Sequence, residues 1–126
     1  MSGSRLFLGL SALVWFLYGL YCFLAPGSLA GGAGVAAITP TGTTELRAMY
    51  GGLQMALGIL AGLGATRADM TRPALIALGM VTAGLGSTRL LGACVDGGWS
   101  AYTLMGLVIE FGSATWARQL LRRQAS

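Results

Sequence analysis

The chain contains neither histidine nor lysine, and only two of its 126 residues are cysteines. Without histidine, and with Cys22 and Cys94 far apart, it offers no familiar ligand set for zinc, haem or an iron–sulfur cluster. We therefore expect no metal and no cofactor. A nucleophile beside a base is also missing, so the sequence favours a protein that is not an enzyme but leaves that question open.

Charged residues are scarce as well. They make up 10% of the chain, whereas 55% is hydrophobic, and the mean hydropathy is +0.71. An ordinary soluble domain is roughly 25% charged, so this composition predicts an integral membrane protein, with one domain over residues 1–126. The net charge of +4 comes from eight arginines, most of which flank apolar segments, which is typical of topology signals and lipid contacts. We expect membrane lipids as partners and no nucleic-acid binding.

Four apolar stretches are long enough for membrane-spanning helices, which need about 20 residues each. They cover residues 6–25, 45–66, 74–95 and 101–118. Thr43 or Thr44 is expected to cap the second helix with Glu45 in its first turn, and Pro73 is expected just before the third. The sequence thus predicts an all-α fold, an integral membrane four-helix bundle.

The arginines also predict an orientation. Arg5, the turn between Arg67 and Arg72, and the segment after residue 118 are basic, whereas loops 26–44 and 96–100 contain no basic residue. By the positive-inside rule both termini lie in the cytoplasm, N-in/C-in. The segment 28–30 resembles a signal-peptide cleavage site, but the apolar run before it exceeds the roughly 7 to 15 residues of a signal peptide. We expect the first span to be retained.

Four ionisable side chains lie within or at the rim of these apolar stretches, namely Glu45, Arg47, Arg89 and Glu110. A charge at membrane depth costs roughly 2.5 to 3.5 kcal/mol on insertion scales, so each is expected to face a partner, a cavity or a ligand. With spans of alternating direction and a rise of about 1.5 Å per residue, all four fall in the outer half of the bundle. Small and polar residues share their helix faces, among them Gly51, Gln54, Gly86, Gly106 and Ser113.

Three interpretations of these charges stay open. Arg89 and Arg47 neutralise Glu110 and Glu45 in a buried network that sets helix register. Alternatively, the arginines hold an anionic group, or Glu110 relays protons. In the third interpretation the charges face a partner subunit. For the cysteines, which fall near the outer ends of their spans, the alternatives are a disulfide in an oxidising periplasm and two inert buried thiols.

Three motifs give the chain a resemblance to a known group of proteins. They are Glu45-Leu46-Arg47-Ala48-Met49-Tyr50-Gly51-Gly52, Arg89-Leu90-Leu91-Gly92 with Asp96-Gly97 following, and Glu110. With these motifs the chain resembles an uncharacterised bacterial family of small four-helix integral membrane proteins, a domain of unknown function that is distantly DoxX-like. The resemblance implies four spans in a bacterial inner membrane and singles out the same charged positions. The close-spaced redox cysteines of some DoxX-like relatives have no counterpart here.

We therefore expect a small membrane binding or accessory protein, a homo-oligomer or a subunit of a larger membrane complex. Its outer-half cluster would hold a lipid-like or anionic ligand, or dock a partner subunit. The residues predicted for this cluster are Glu45, Arg47, Tyr50, Gln54, Arg89 and Glu110. The alternative is an oligomeric transporter or proton-coupled channel that uses Glu110.

Overall fold

The computed structural model describes residues 2–126, and that part of the chain is helical with no strand. It contains five helices: α1 (Gly3–Leu24), α2 (Leu29–Gly32), α3 (Pro40–Thr66), α4 (Ala68–Asp96) and α5 (Ala101–Ala125). Four are long, and α2 is one turn within the connection between α1 and α3. The prediction of an all-α fold is confirmed for these residues, and Met1, the first residue of the predicted domain, lies outside them.

Three of the helices, α1, α3 and α4, are long and apolar enough to cross a membrane. Their outward faces carry large hydrophobic side chains, as do those of α5, including Leu24, Met80, Val95 and Val108. A soluble protein buries such residues or covers them with a partner. These helices therefore fit a membrane protein. α5 is 25 residues long but is not among the three, since Glu110 and Arg118 interrupt its apolar run.

The second long helix begins earlier than predicted. Its N-cap is Thr39, whose hydroxyl accepts a hydrogen bond from the Gly42 amide at 3.0 Å. Pro40 occupies the first helical position, where an amide hydrogen is not needed. The predicted cap at Thr43 or Thr44 is therefore wrong, because their hydroxyls donate to the carbonyls of Thr39 and Pro40 and cap no amide. Glu45 lies in the second turn, not the first.

The third long helix also begins early. α4 starts at Ala68, directly after Arg67, which is the one residue between α3 and α4. Pro73 thus lies inside the helix and not before it, which corrects the predicted start at residue 74. The proline leaves the carbonyl of Asp69 without its usual partner. The cost is tolerated because Asp69 is exposed and water can reach this turn.

Glycines set the contact between α1 and α3. A Cβ built on Gly58 would lie 2.6 Å from the backbone nitrogen of Phe16, and one on Gly51 would lie 2.8 Å from Cβ of Phe23. Gly58 faces Phe16, and the earlier residue Gly51 faces the later residue Phe23, so the two helices are antiparallel. Their backbones approach closely because these positions carry no side chain, as in tightly packed membrane helices.

α5 returns beside α4 and also meets α1. Near the chain ends, the rings of Phe7 and Trp116 lie 5.1 Å apart, and the Gln124 side chain donates to Ser4 Oγ at 3.2 Å. The buried apolar core lies in this half of the molecule. It consists of Phe7, Leu8, Leu57, Ala61, Ala74, Leu75, Leu78, Ala117 and Leu120. The other half, towards the α4–α5 turn, contains the polar cluster.

Candidate functional site

Arg89 of α4 and Glu110 of α5 form an ion pair between the two helices. Nε of Arg89 donates to Oε1 and Oε2 at 3.1 and 2.9 Å, and Nη2 donates to Oε1 at 2.6 Å. Glu110 is only 5% exposed, whereas the Arg89 side chain keeps 29% of its surface. A guanidinium that binds a carboxylate through two nitrogens fixes its own orientation. The pair therefore presents the rest of the Arg89 side chain in a defined direction.

Gly106 makes this pair possible. A Cβ on Gly106 would lie 2.8 Å from Arg89 Nε and 3.1 Å from Cζ. The arginine thus crosses α5 over a position without a side chain and meets Glu110 one helical turn further along. The spacing of Gly106 and Glu110 was visible in the sequence as part of a small, polar helix face. Its role as the passage for an arginine was not.

Two tyrosines extend the cluster to α1. Cζ of Arg89 lies 5.8 Å from the ring centroid of Tyr102, and the Tyr102 hydroxyl is 2.9 Å from that of Tyr18. Cys22 lies one turn beyond Tyr18 on the same helix and is buried. Sequence reasoning missed both tyrosines, because nothing in their spacing shows that residues 84 positions apart meet.

Arg47 and Glu45 do not pair. Arg47 Nη1 donates to the Phe23 carbonyl, and its Cζ lies 5.5 Å from the centroid of the Phe23 ring. Phe23 is the penultimate residue of α1, where carbonyls lack intrahelical partners and a cation complements the helix dipole. Glu45 is exposed and forms no ion pair within residues 2–126. Of the two predicted ion pairs, Arg89–Glu110 forms and Arg47–Glu45 is wrong.

The chain from Arg47 to Gly52 forms a π-helical turn within α3. Such turns are rare and frequently occur at functional sites. This turn contains Tyr50, which is half-buried. Gln54 follows it, and its Oε1 is buried without a hydrogen-bond partner in residues 2–126. Leaving a buried carbonyl oxygen without a hydrogen-bond partner costs free energy.

Arg89 and Gln54 each keep an atom with unused hydrogen-bonding capacity. Nη1 of Arg89 makes no hydrogen bond within residues 2–126, and Gln54 supplies the unpaired oxygen. The structure brings together Arg89 and Glu110, attaches Arg47 to α1, places Tyr50 in the π-helical turn of α3, and leaves Glu45 without an ion pair in that range. In the same residue range, no group of three or more side chains is arranged to hold a metal ion.

The cysteines do not form a disulfide. Cys22 is buried, Cys94 is exposed, and both are free thiols. The alternative of two buried thiols thus holds for Cys22 and is wrong for Cys94. Cys94 lies near the end of α4, on the outward face beside Val95.

Neither the curated proteins nor the solved structures include one that matches this chain. A family model does match, and its description is a domain of unknown function (DUF4345). The match covers residues 3–121 and so includes Arg89, Glu110 and both tyrosines of the cluster. Because nearly the whole chain is covered, this protein belongs to the DUF4345 family.

Proposed function

We propose that this protein is a small membrane binding protein of the bacterial inner membrane, and that all four long helices cross the bilayer as one bundle. α5 supports this proposal by its 25 residues, about 37 Å of helix, which exceeds a hydrocarbon layer of roughly 30 Å. The one acidic residue of its apolar run, Glu110, is paired with Arg89. Pairing lowers the cost of placing that carboxylate at membrane depth.

The proposed orientation is N-in/C-in. One end of the bundle carries six arginines and one acidic residue, and the other end carries no arginine outside the helices. The residues at the first end are Arg5, Arg67, Arg72, Arg118, Arg122, Arg123 and Asp69. The positive-inside rule assigns this end to the cytoplasm. The cluster around Arg89 then lies in the outer half of the membrane.

In that half, we infer, the cluster holds the polar end of a lipid-like or anionic ligand. The observation that supports this role is the unused Nη1 donor of Arg89 beside a carboxylate that binds its other two nitrogens. An ion pair is not needed to hold helices together, since apolar residues of similar volume often serve as well. Glu110 positions Arg89, while Tyr102 and Tyr18 continue the polar surface towards α1.

The apolar outer faces of the helices support a further element of the proposal. They pack against lipid, against further copies of the chain in a homo-oligomer, or against other subunits of a membrane complex. An accessory role in such a complex is compatible with ligand binding, because the cluster and the outer faces use different residues.

A charge swap separates ligand binding from helix pairing. The variant Arg89→Glu/Glu110→Arg keeps an ion pair at the same contact but moves the guanidinium to α5. We expect native mass spectrometry in mild detergent to show one retained small molecule on the wild-type chain and none on the swapped chain. Circular dichroism should show unchanged helix content. Ligand retention by the swapped chain at the wild-type level would mean that the pair is structural.

The matched control is Arg122→Gln, which changes the net charge but lies 12 residues beyond Glu110 on the exposed end of α5. It should retain the small molecule. A homo-oligomer that holds no small molecule, and whose ion flux in vesicles is abolished by Glu110→Gln, would instead support a transporter or proton-coupled channel.

A further inference from the structure

A second polar feature lies at the opposite end of the molecule, where the chain ends meet. An open cleft of about 480 Å³ lies between the starts of α1 and α4 and the end of α5. Its polar lining consists of Ser2, Ser4, Arg5, Thr71, Arg72 and Gln124. Arg72 lies 17 residues before Arg89 on α4, about 26 Å of helix. The cleft is therefore separate from the cluster around Glu110.

The two arginines of the cleft have no acidic partner. Arg5 and Arg72 are exposed and form no ion pair within residues 2–126. The acidic residue of this region, Asp69, is bound by Arg67 at 2.9 Å. One guanidinium group can donate two parallel hydrogen bonds to two oxygens of a phosphate, which the ammonium group of a lysine cannot do. Two uncompensated guanidinium groups from different helices thus line the same cleft.

Backbone groups add to this positive potential. The cleft lies at the N-termini of α1 and α4, which are 22 and 29 residues long. The first amides of a helix have no intrahelical acceptor and attract anions. Ser2 caps one amide of α1, that of Arg5, but α4 has no side-chain cap at all. Of the first amides of α4, that of Met70 donates to the Arg67 carbonyl at 3.1 Å, and no side chain caps those of Ala68 and Asp69.

The walls of the cleft are held by hydrogen bonds between helices. Ser4, which is only 8% exposed, accepts from Gln124 of α5 at 3.2 Å. Thr71 donates to the Gly64 carbonyl of α3 at 2.8 Å. The starts of α1 and α4 are thus fixed relative to the rest of the chain, so an anion would meet a largely formed site.

We propose that this cleft binds a phosphate group through Arg5 and Arg72. The group belongs either to the headgroup of an anionic phospholipid or to a soluble phosphate ester, and both present the same oxygens. A membrane surface favours the headgroup, because basic pockets between helices at that depth bind anionic lipids. The site goes beyond the proposed ligand cluster, since it uses other residues at the other end of the helices.

The test measures binding of three probes to the full chain in neutral detergent: short-chain phosphatidylglycerol, short-chain phosphatidylcholine and glycerol 3-phosphate. We expect phosphatidylglycerol to bind more tightly than phosphatidylcholine. Arg5→Gln/Arg72→Gln should weaken that binding at least about tenfold, the loss expected for removing two charge-assisted donors. Glycerol 3-phosphate binding as tightly as phosphatidylglycerol would identify a soluble ester as the ligand, and much weaker binding would identify the lipid.

Two further variants make the result decisive. Arg122→Gln/Arg123→Gln removes the same charge from the same end but no residue of the cleft lining, so it should bind phosphatidylglycerol like the wild type. Ala68→Glu places a carboxylate in the lining at the first turn of α4, where it suits the helix, and should also weaken binding. Equal losses in both arginine pairs would indicate unspecific surface charge and overturn the site, as would the absence of anion binding to the wild type.

Discussion

The guanidinium of Arg89 lies over Gly106, at a distance that no side chain at position 106 would permit. A Cβ there would come within 2.8 Å of Nε, and the ion pair with Glu110 depends on this passage. The candidate site thus depends on a glycine that leaves room for Arg89. Its geometry makes a sharp test possible without changing either charge.

Gly106→Ala should displace Arg89 and weaken its hydrogen bonds to Glu110. We expect a loss of about 1 to 3 kcal/mol in unfolding free energy, the cost of leaving a buried polar group unsatisfied. Thermal unfolding in detergent, followed by circular dichroism, measures it. Gly112→Ala on the same helix is the control, because a Cβ there meets nothing within 4 Å. Equal losses of unfolding free energy in the two variants would mean that the path of Arg89 does not depend on the missing side chain at position 106.

The contact between α1 and α3 should be equally sensitive to one methyl group. A Cβ at Gly58 lies 2.6 Å from a backbone nitrogen of α1, and backbone cannot move aside as a side chain can. Gly58→Ala should therefore destabilise the protein by about 1 to 3 kcal/mol through overpacking. Gly84→Ala, with open space around its Cβ, should unfold like the wild type. A stable Gly58→Ala protein would mean that the two helices pack further apart.

The bond between the Tyr18 and Tyr102 hydroxyls should contribute about 1 kcal/mol. Tyr18→Phe and Tyr102→Phe should each cost about this much, and the double variant should cost less than the sum. Chemical unfolding of the four proteins of this cycle gives the coupling. Tyr21→Phe is the control, since Tyr21 is exposed. Additive losses would show that the hydroxyls act separately.

Replacing Arg47 should change amide hydrogen exchange, whereas replacing Glu45 should not. Arg47→Gln removes the bond to the Phe23 carbonyl, so amide hydrogen exchange should increase at the end of α1 and in the π-helical turn. Glu45→Gln should leave exchange and stability unchanged within about 0.5 kcal/mol, as is usual for exposed residues without partners. If instead Glu45→Gln had the larger effect, an ion pair with Arg47 would have to be considered again.

Topology is tested at the two ends of α5. With Cys94 replaced by serine, Gly98→Cys and Ser126→Cys place one exposed thiol on either end of the helix. An impermeant thiol reagent should label position 98 in cells whose outer membrane is opened, and position 126 only after lysis. Reversed labelling would give the opposite orientation. Labelling of both positions from one side would mean that α5 does not cross the bilayer.

The sequence by itself determined that the chain is helical and apolar enough for membranes. Long runs without charges have no other way to satisfy their backbone groups in lipid, so the existence of the long helices followed from composition. Their starts did not, because Pro40 is the first residue of its helix whereas Pro73 lies within the second turn of its own, so a proline alone does not mark the start. The distant DoxX-like relationship stays a prediction.

Only the tertiary structure decided which charges meet. Glu45, Arg47, Arg89 and Glu110 were all predicted in the outer half of the bundle. Their pairing depends on how each helix is rotated about its axis, and the periodicity of a single helix does not define its rotation relative to another. Arg89 binds Glu110 because Gly106 has no side chain in the way. Arg47 instead donates to the Phe23 carbonyl at the end of α1. The arginine-lined cleft likewise depends on tertiary structure. Ser4 and Gln124, which form a hydrogen bond in its wall, are 120 positions apart in the chain, and local sequence patterns do not predict contacts at such a separation.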